Sequence, residues 1–66
     1  MRLTVNGEPR EVGDQLKLSD LLARLGVDPQ QVVVERNGAI LRQPDFAGTV
    51  LSAGDVVEIV KFLGGG

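Results

Sequence analysis

Apolar and polar residues alternate from the start of the chain. Leu3 and Val5 fall on one face of residues 2–6, with Arg2 and Thr4 on the other, which predicts a half-buried strand. Asn6-Gly7 follows and is a strong hairpin signal, because both residue types accept positive φ. A second strand is expected from about Pro9 to Val12. Pro9 cannot donate to a ladder and so suits a strand start or an edge. Gly13-Asp14 reads as a turn. The period then changes. Leu18, Leu21, Leu22 and Leu25 recur at the spacing of one helical face. Ser19 is the expected N-cap with Leu18 just outside, Asp20 suits the positive end of the helix dipole, and Gly26 is the expected stop. Such a short helix is unstable alone and has to pack its leucines on a sheet.

The second half returns to strand patterns. Val32-Val33-Val34-Glu35-Arg36 predicts a third strand, and Asn37-Gly38 a second hairpin leading into Ala39-Ile40-Leu41. Residues 44–48 read as irregular or one short helical turn, Thr49-Val50-Leu51 as extended, and Ser52-Ala53-Gly54-Asp55 as a turn. Val56 to Phe62 forms the last strand. The order hairpin, helix, hairpin, loop, strand predicts an α+β domain of two layers, in which one short helix covers one face of a sheet. The expected core is Leu3, Val5, Val12, Leu16, Leu18, Leu21, Leu22, Leu25, Val32, Val34, Ile40, Val50, Val57 and Ile59. Arg36 fits this pattern poorly, since strict alternation places it on the same face as Val32 and Val34. Its alkyl stem could lie over the core edge with its head in water.

Composition narrows the function classes. The chain has 66 residues, a single-domain length, and its formal charge of −2 with scattered basic residues argues against general nucleic-acid binding. No apolar run approaches the ~20 residues needed to span a bilayer, and no signal-peptide h-region opens the chain, so a cytoplasmic protein is expected. There is no His, Cys, Tyr or Trp. The usual neutral-pH base, the strongest nucleophile and the commonest transition-metal ligands are missing, and no imidazole exists to activate Ser19 or Ser52. Asp45, Asp55 and Glu58 lack calcium-loop spacing. No catalytic residue, metal site or bound cofactor is expected.

Leu63-Gly64-Gly65-Gly66 closes the sequence. Taken alone, such an end reads as a frayed terminus. It also reads as a carboxylate on a thin stalk, because glycine has no Cβ and can thread a channel that any side chain would block. Alternation places Val33, Val60 and Phe62 on the outer sheet face, with Leu63 at the root of the tail. An apolar cluster there suits partner docking.

Five segments in order complete the pattern: Arg2-Leu3-Thr4-Val5-Asn6-Gly7, Leu18-Ser19-Asp20-Leu21-Leu22, Val34-Glu35-Arg36-Asn37-Gly38, Gly54-Asp55-Val56-Val57-Glu58-Ile59-Val60, and Phe62-Leu63-Gly64-Gly65-Gly66. Over its whole length the chain resembles the ubiquitin-like β-grasp sulfur carriers, most closely those of thiamine biosynthesis, the ThiS family. The resemblance implies a mixed sheet of four to five strands wrapped on one helix, with first and last strands parallel at its centre. It implies a domain over residues 1–63 and a flexible tail over 64–66. It further implies that Gly66 is adenylated with Mg-ATP by an adenylyltransferase related to ubiquitin-activating enzymes. A cysteine desulfurase system then converts it to a thiocarboxylate, and thiazole synthase takes the sulfur, with Gly64 and Gly65 as stalk. The protein would be a co-substrate of those partners rather than an enzyme. Sulfur delivery to molybdopterin or to tRNA thiolation, and conjugation to proteins through Gly66, share the same tail chemistry and stay open at this point.

Overall fold

Both Asn-Gly pairs fold as expected. Strand β1 (Arg2–Val5) turns into β2 (Glu8–Glu11), and β3 (Val32–Arg36) turns into β4 (Ala39–Leu41). Each hairpin closes over two residues at positive φ, Asn6 at 49° with Gly7 at 81°, and Asn37 at 51° with Gly38 at 86°. Those are the angles whose twist matches the flanking strands. The computed structural model describes residues 1–62. The last strand, β5 (Val56–Lys61), runs between the two hairpins, parallel to β1 and antiparallel to β3. The sheet order is β2-β1-β5-β3-β4. The single main helix, α1 (Leu18–Arg24), packs its leucines on one face, so the architecture is the expected mixed-sheet β-grasp.

The helix ends as its sequence demands. Gly26 takes φ +70°, its N–H donates to the Ala23 carbonyl at 3.1 Å, and the Val27 N–H donates to the Leu22 carbonyl at 2.9 Å. This pair of bonds is a Schellman motif, and it satisfies carbonyls that the helix would leave orphaned. The start differs from expectation. Lys17, not Ser19, holds the N-cap position, with no side-chain cap bond, and Leu18 is inside the helix. The cause is tertiary. Lys17 forms a β-bridge with Val50, the Leu18 N–H donates to the Thr49 carbonyl at 2.9 Å, and the Leu51 N–H donates to the Leu16 carbonyl at 2.9 Å. A backbone carbonyl from the 49–51 segment thus takes a donor that a capping side chain would otherwise serve. The turn expected at Gly13-Asp14 lies at Asp14-Gln15.

Most of the expected core is buried, with Leu3, Val5, Leu16, Leu18, Leu21, Leu22, Val32, Val34 and Val57 all inside. Val12, Leu25 and Ile59 pack partly buried against them. Two expected members are outside: Ile40 is 59% exposed and Val50 47%. Register explains the first. Leu41 lies opposite inward-facing Val34, so Ile40, opposite Glu35, must point outward. Around Val50 the bridge turns Leu51 inward instead, and Phe46, on a short helix α2 (Gln43–Phe46), fills the core beside it. Full burial of a Leu or Val side chain is worth about 1.5–3 kcal/mol, a large share of the about 5–15 kcal/mol that holds a typical domain together.

In urea denaturation, Leu22→Ala is expected to cost about 2.5–5 kcal/mol, whereas Ile40→Ala should stay within about 0.5 kcal/mol of the parent. Equal costs would contradict the register.

Candidate functional site

The position of β5 is set by a buried carboxylate. Asp55 is only 6% exposed. Its Oδ2 accepts from the Arg36 Nε at 2.8 Å and from the Ser52 N–H at 2.8 Å, and its Oδ1 accepts from the Asn37 amide at 3.0 Å. Asn37 in turn accepts the Val56 N–H at 2.8 Å through its Oδ1. Arg36 also reaches the Val50 carbonyl at 3.2 Å. The anomaly of Arg36 is thereby resolved: it lies at the core edge because Asp55 is there. Gly54-Asp55 reads in sequence as turn chemistry alone, but the aspartate also ties the β3–β4 hairpin to the entry of β5. Burial alone would raise the Asp55 pKa, but the bonds from Ser52, Asn37 and Arg36 and the guanidinium charge outweigh it and hold the carboxyl below 3.8.

From that anchor β5 alternates. Val57 and Ile59 face the helix, while Val56, Glu58 and Val60 face outward, and Phe62 continues the outward series with its N–H donating to the Gln31 carbonyl at 3.0 Å. Val33 lies directly opposite Val60 across the antiparallel pair. The structure therefore brings the predicted docking residues Val33, Val60 and Phe62 onto one face, with Val60 52% and Phe62 42% exposed and Val33 half-buried. Leu63, Gly64, Gly65 and Gly66 lie outside the described residues, as does the expected boundary after Leu63. Sequence reasoning missed two further apolar residues on this face, Ile40 and Val56, the latter 45% exposed. Alternation around inward-facing Val57 was the signal that could have found Val56, and register the one for Ile40, which pairs with Glu35.

On the helix side of β5 lies a cleft of about 330 Å³, lined by Val27, Val32, Ile59, Asn6, Asp28 and Lys61 among others. Asn6, the first residue of the β1–β2 turn, accepts the Ile59 N–H at 2.7 Å through its side chain, which continues the β1–β5 ladder beyond the end of β1. Asp28 is occupied in capping Gln30, whose N–H it accepts at 2.9 Å. The cleft's described lining offers one cation, Lys61, over an apolar floor, with no hydroxyl, thiol or imidazole among those residues. Among the described residues no group of His, Cys, Asp or Glu could hold a metal ion, and no helix is long and apolar enough to cross a membrane.

The family model described as the ThiS family matches residues 3–66. The crystal structure of a thiamine biosynthesis protein (ThiS) from Geobacter metallireducens is similar to this chain, with a TM-score of 0.84, 43% identity and 100% of both chains covered. The sulfur carrier protein ThiS of Bacillus subtilis is 41% identical over 49 residues, 74% of each chain. A thiazole synthase of Paramagnetospirillum magneticum is 42% identical over 66 residues, all of this chain but only 20% of that protein. A thiazole synthase of Magnetococcus marinus is 39% identical over the same length, so this chain spans about a fifth of either synthase.

The anchor has a pH signature. A carboxylate whose folded pKa is depressed contributes stability above its unfolded value and loses it as pH falls through the folded one. Asp55→Asn is expected to cost about 1.5–3 kcal/mol at pH 7. In urea titrations the gap between parent and variant should close as pH drops below 3.8. A gap independent of pH would remove the ionised carboxylate from the account.

Proposed function

This chain belongs to the ThiS family, and we propose that it carries sulfur for thiazole formation in thiamine biosynthesis on the α-carboxylate of Gly66. The observation that carries this reading is the reach of the family match, which runs from residue 3 through the closing glycines to Gly66. The carboxylate has a reference pKa of about 3.3–3.7 and is ionised at neutral pH. One of its oxygens attacks the α-phosphorus of Mg-ATP held by an adenylating partner, and pyrophosphate leaves. The product is an acyl-adenylate, a mixed anhydride open to nucleophiles. The terminal sulfur of a persulfide supplied by a cysteine desulfurase system attacks the acyl carbon and displaces AMP. A thiol reductant then cleaves the resulting acyl disulfide, leaving as a disulfide with the sulfur's former carrier. A thiocarboxylate results. Thiazole synthase is the acceptor of that sulfur, a reading supported by the two relatives of that name that contain a segment similar to this whole chain.

The chain's own part in this chemistry is positional. Its side chains need supply no base, which accords with a sequence lacking His and Cys. Residues 64–66 serve as the stalk that enters partner sites, and the domain before them serves as the handle. Val33, Val60 and Phe62 on the outer face, together with Leu63, are what the partner grips. ATP and magnesium belong to the partner.

Pyrophosphate release on adding Mg-ATP and the cognate adenylating enzyme tests both halves. Deleting Gly65 and Gly66 should abolish release while leaving thermal stability unchanged, because a glycine stalk has no side chains to pack. Phe62→Asp should raise KM about tenfold or more, since a charge in the core of an interface costs upwards of about 1.4 kcal/mol. Full activity of the deletion variant would overturn the Gly66 assignment, and unchanged kinetics of Phe62→Asp would overturn the docking face.

A further inference from the structure

The outer sheet face holds an electrostatic conflict that the fold does not need. Glu35 on β3 and Glu58 on β5 are directly opposite each other in the antiparallel register. Like charges at such positions destabilise a sheet, where an opposite pair would add to it. No cation of the described residues relieves them. The ion pairs there are the N-terminus with Asp14, Arg2 with Glu11 and Arg36 with Asp55. Arg36, next in sequence to Glu35, is turned to the opposite face by Asp55 at 2.8 Å, and Arg2, on the outer face itself, is engaged by Glu11 at 2.8 Å.

Around these two carboxylates the face is apolar. Val33 and Val60 form the next cross-strand pair on that face, Val56 is Glu58's neighbour on β5, and Ile40 lies opposite Glu35. Exposed large apolar side chains of the described residues are Ile40, Val50, Val56, Val60 and Phe62, and all but Val50 belong to this face. An exposed apolar patch of this kind marks a contact surface. A polar group at its centre selects the partner by charge.

We infer that this face docks the adenylating partner through a surface that sets an arginine or lysine side chain among apolar ones, the cation lying between Glu35 and Glu58. This rests on the tail-activation reading above. A second copy of this chain is a poor occupant, because face-to-face stacking would bring carboxylate pair onto carboxylate pair. The same repulsion keeps the free protein's apolar face from self-association, and the partner's cation relieves it on docking. The two glutamates thus weaken the free fold and strengthen the complex.

The test compares the full-length protein with Glu35→Gln, Glu58→Gln, the double variant, and Glu8→Gln on β2 as a control, each with the cognate adenylating enzyme and Mg-ATP at low and high salt. The double variant is expected to melt at or above the parent temperature yet lose at least about tenfold in kcat/KM for pyrophosphate release, mostly through KM, with its salt dependence flattened. The control should match the parent. Parent-like kinetics of the double variant would overturn the inference while leaving tail activation intact. So would a loss confined to sulfur delivery with adenylation unchanged, which would give this face to the acceptor instead, or a parent protein that sediments as a dimer through this face. No pyrophosphate release from the parent itself would instead bring down the tail-activation reading, and this inference with it.

Discussion

The fold hangs on a short parallel contact at the centre of the sheet. Between β1 and β5 it joins only Thr4 with Val56 and Val5 with Val57 as strand pairs. The contact is extended by groups outside the regular ladder: the Thr4 N–H donates to the Asp55 carbonyl at 3.0 Å and the Asn6 N–H to the Val57 carbonyl at 2.9 Å. The Asn6 side chain then continues it by accepting from Ile59, while Asn37, in the β3–β4 turn, fastens the other edge of β5 by accepting from Val56. Parallel pairing of distant segments has to overcome the entropy of closing the intervening chain. Here the helix leucines and the buried Asp55 cluster supply that stabilisation from both sides of the strand.

This arrangement divides labour between the two faces of β5. Val57, fully buried, fastens the strand to the helix. Glu58 and Val60 are thereby presented to solvent in fixed register with Glu35 and Val33. A rigid face ahead of the glycine stalk suits a carrier. In the proposed reading the domain supplies recognition and residues 64–66 supply reach, while partners supply the reactive side chains. The absence of His and Cys, which would handicap an enzyme, costs such a protein nothing.

The elements were legible where local chemistry decides them. The two Asn-Gly turns, the Gly26 stop, the span of β3 and the alternation of β5 all follow from short-range rules and appear in the structure. The misses came where distant segments decide. Ser19 looked like a cap because nothing local reveals that Thr49 will take the Leu18 donor. Ile40 looked like core because its alternation could be counted from either neighbour, and only pairing with β3 settles it. Phe46 and Leu51 were overlooked in a segment without period. Val33, Val60 and Phe62 share one face as alternation placed them, and the same alternation adds Val56, whereas Ile40 and the opposition of Glu35 to Glu58 emerge only from register.

Everything in this account converges on one atom pair, the carboxylate oxygens of Gly66. The most direct measurement is the intact mass of the protein isolated from its own cells, with fragmentation of its C-terminal residues. The account predicts a fraction whose mass corresponds to replacement of one Gly66 carboxyl oxygen by sulfur, with every other fragment unchanged. Unmodified Gly66 in cells actively making thiazole, under conditions that preserve a thiocarboxylate standard, would contradict it.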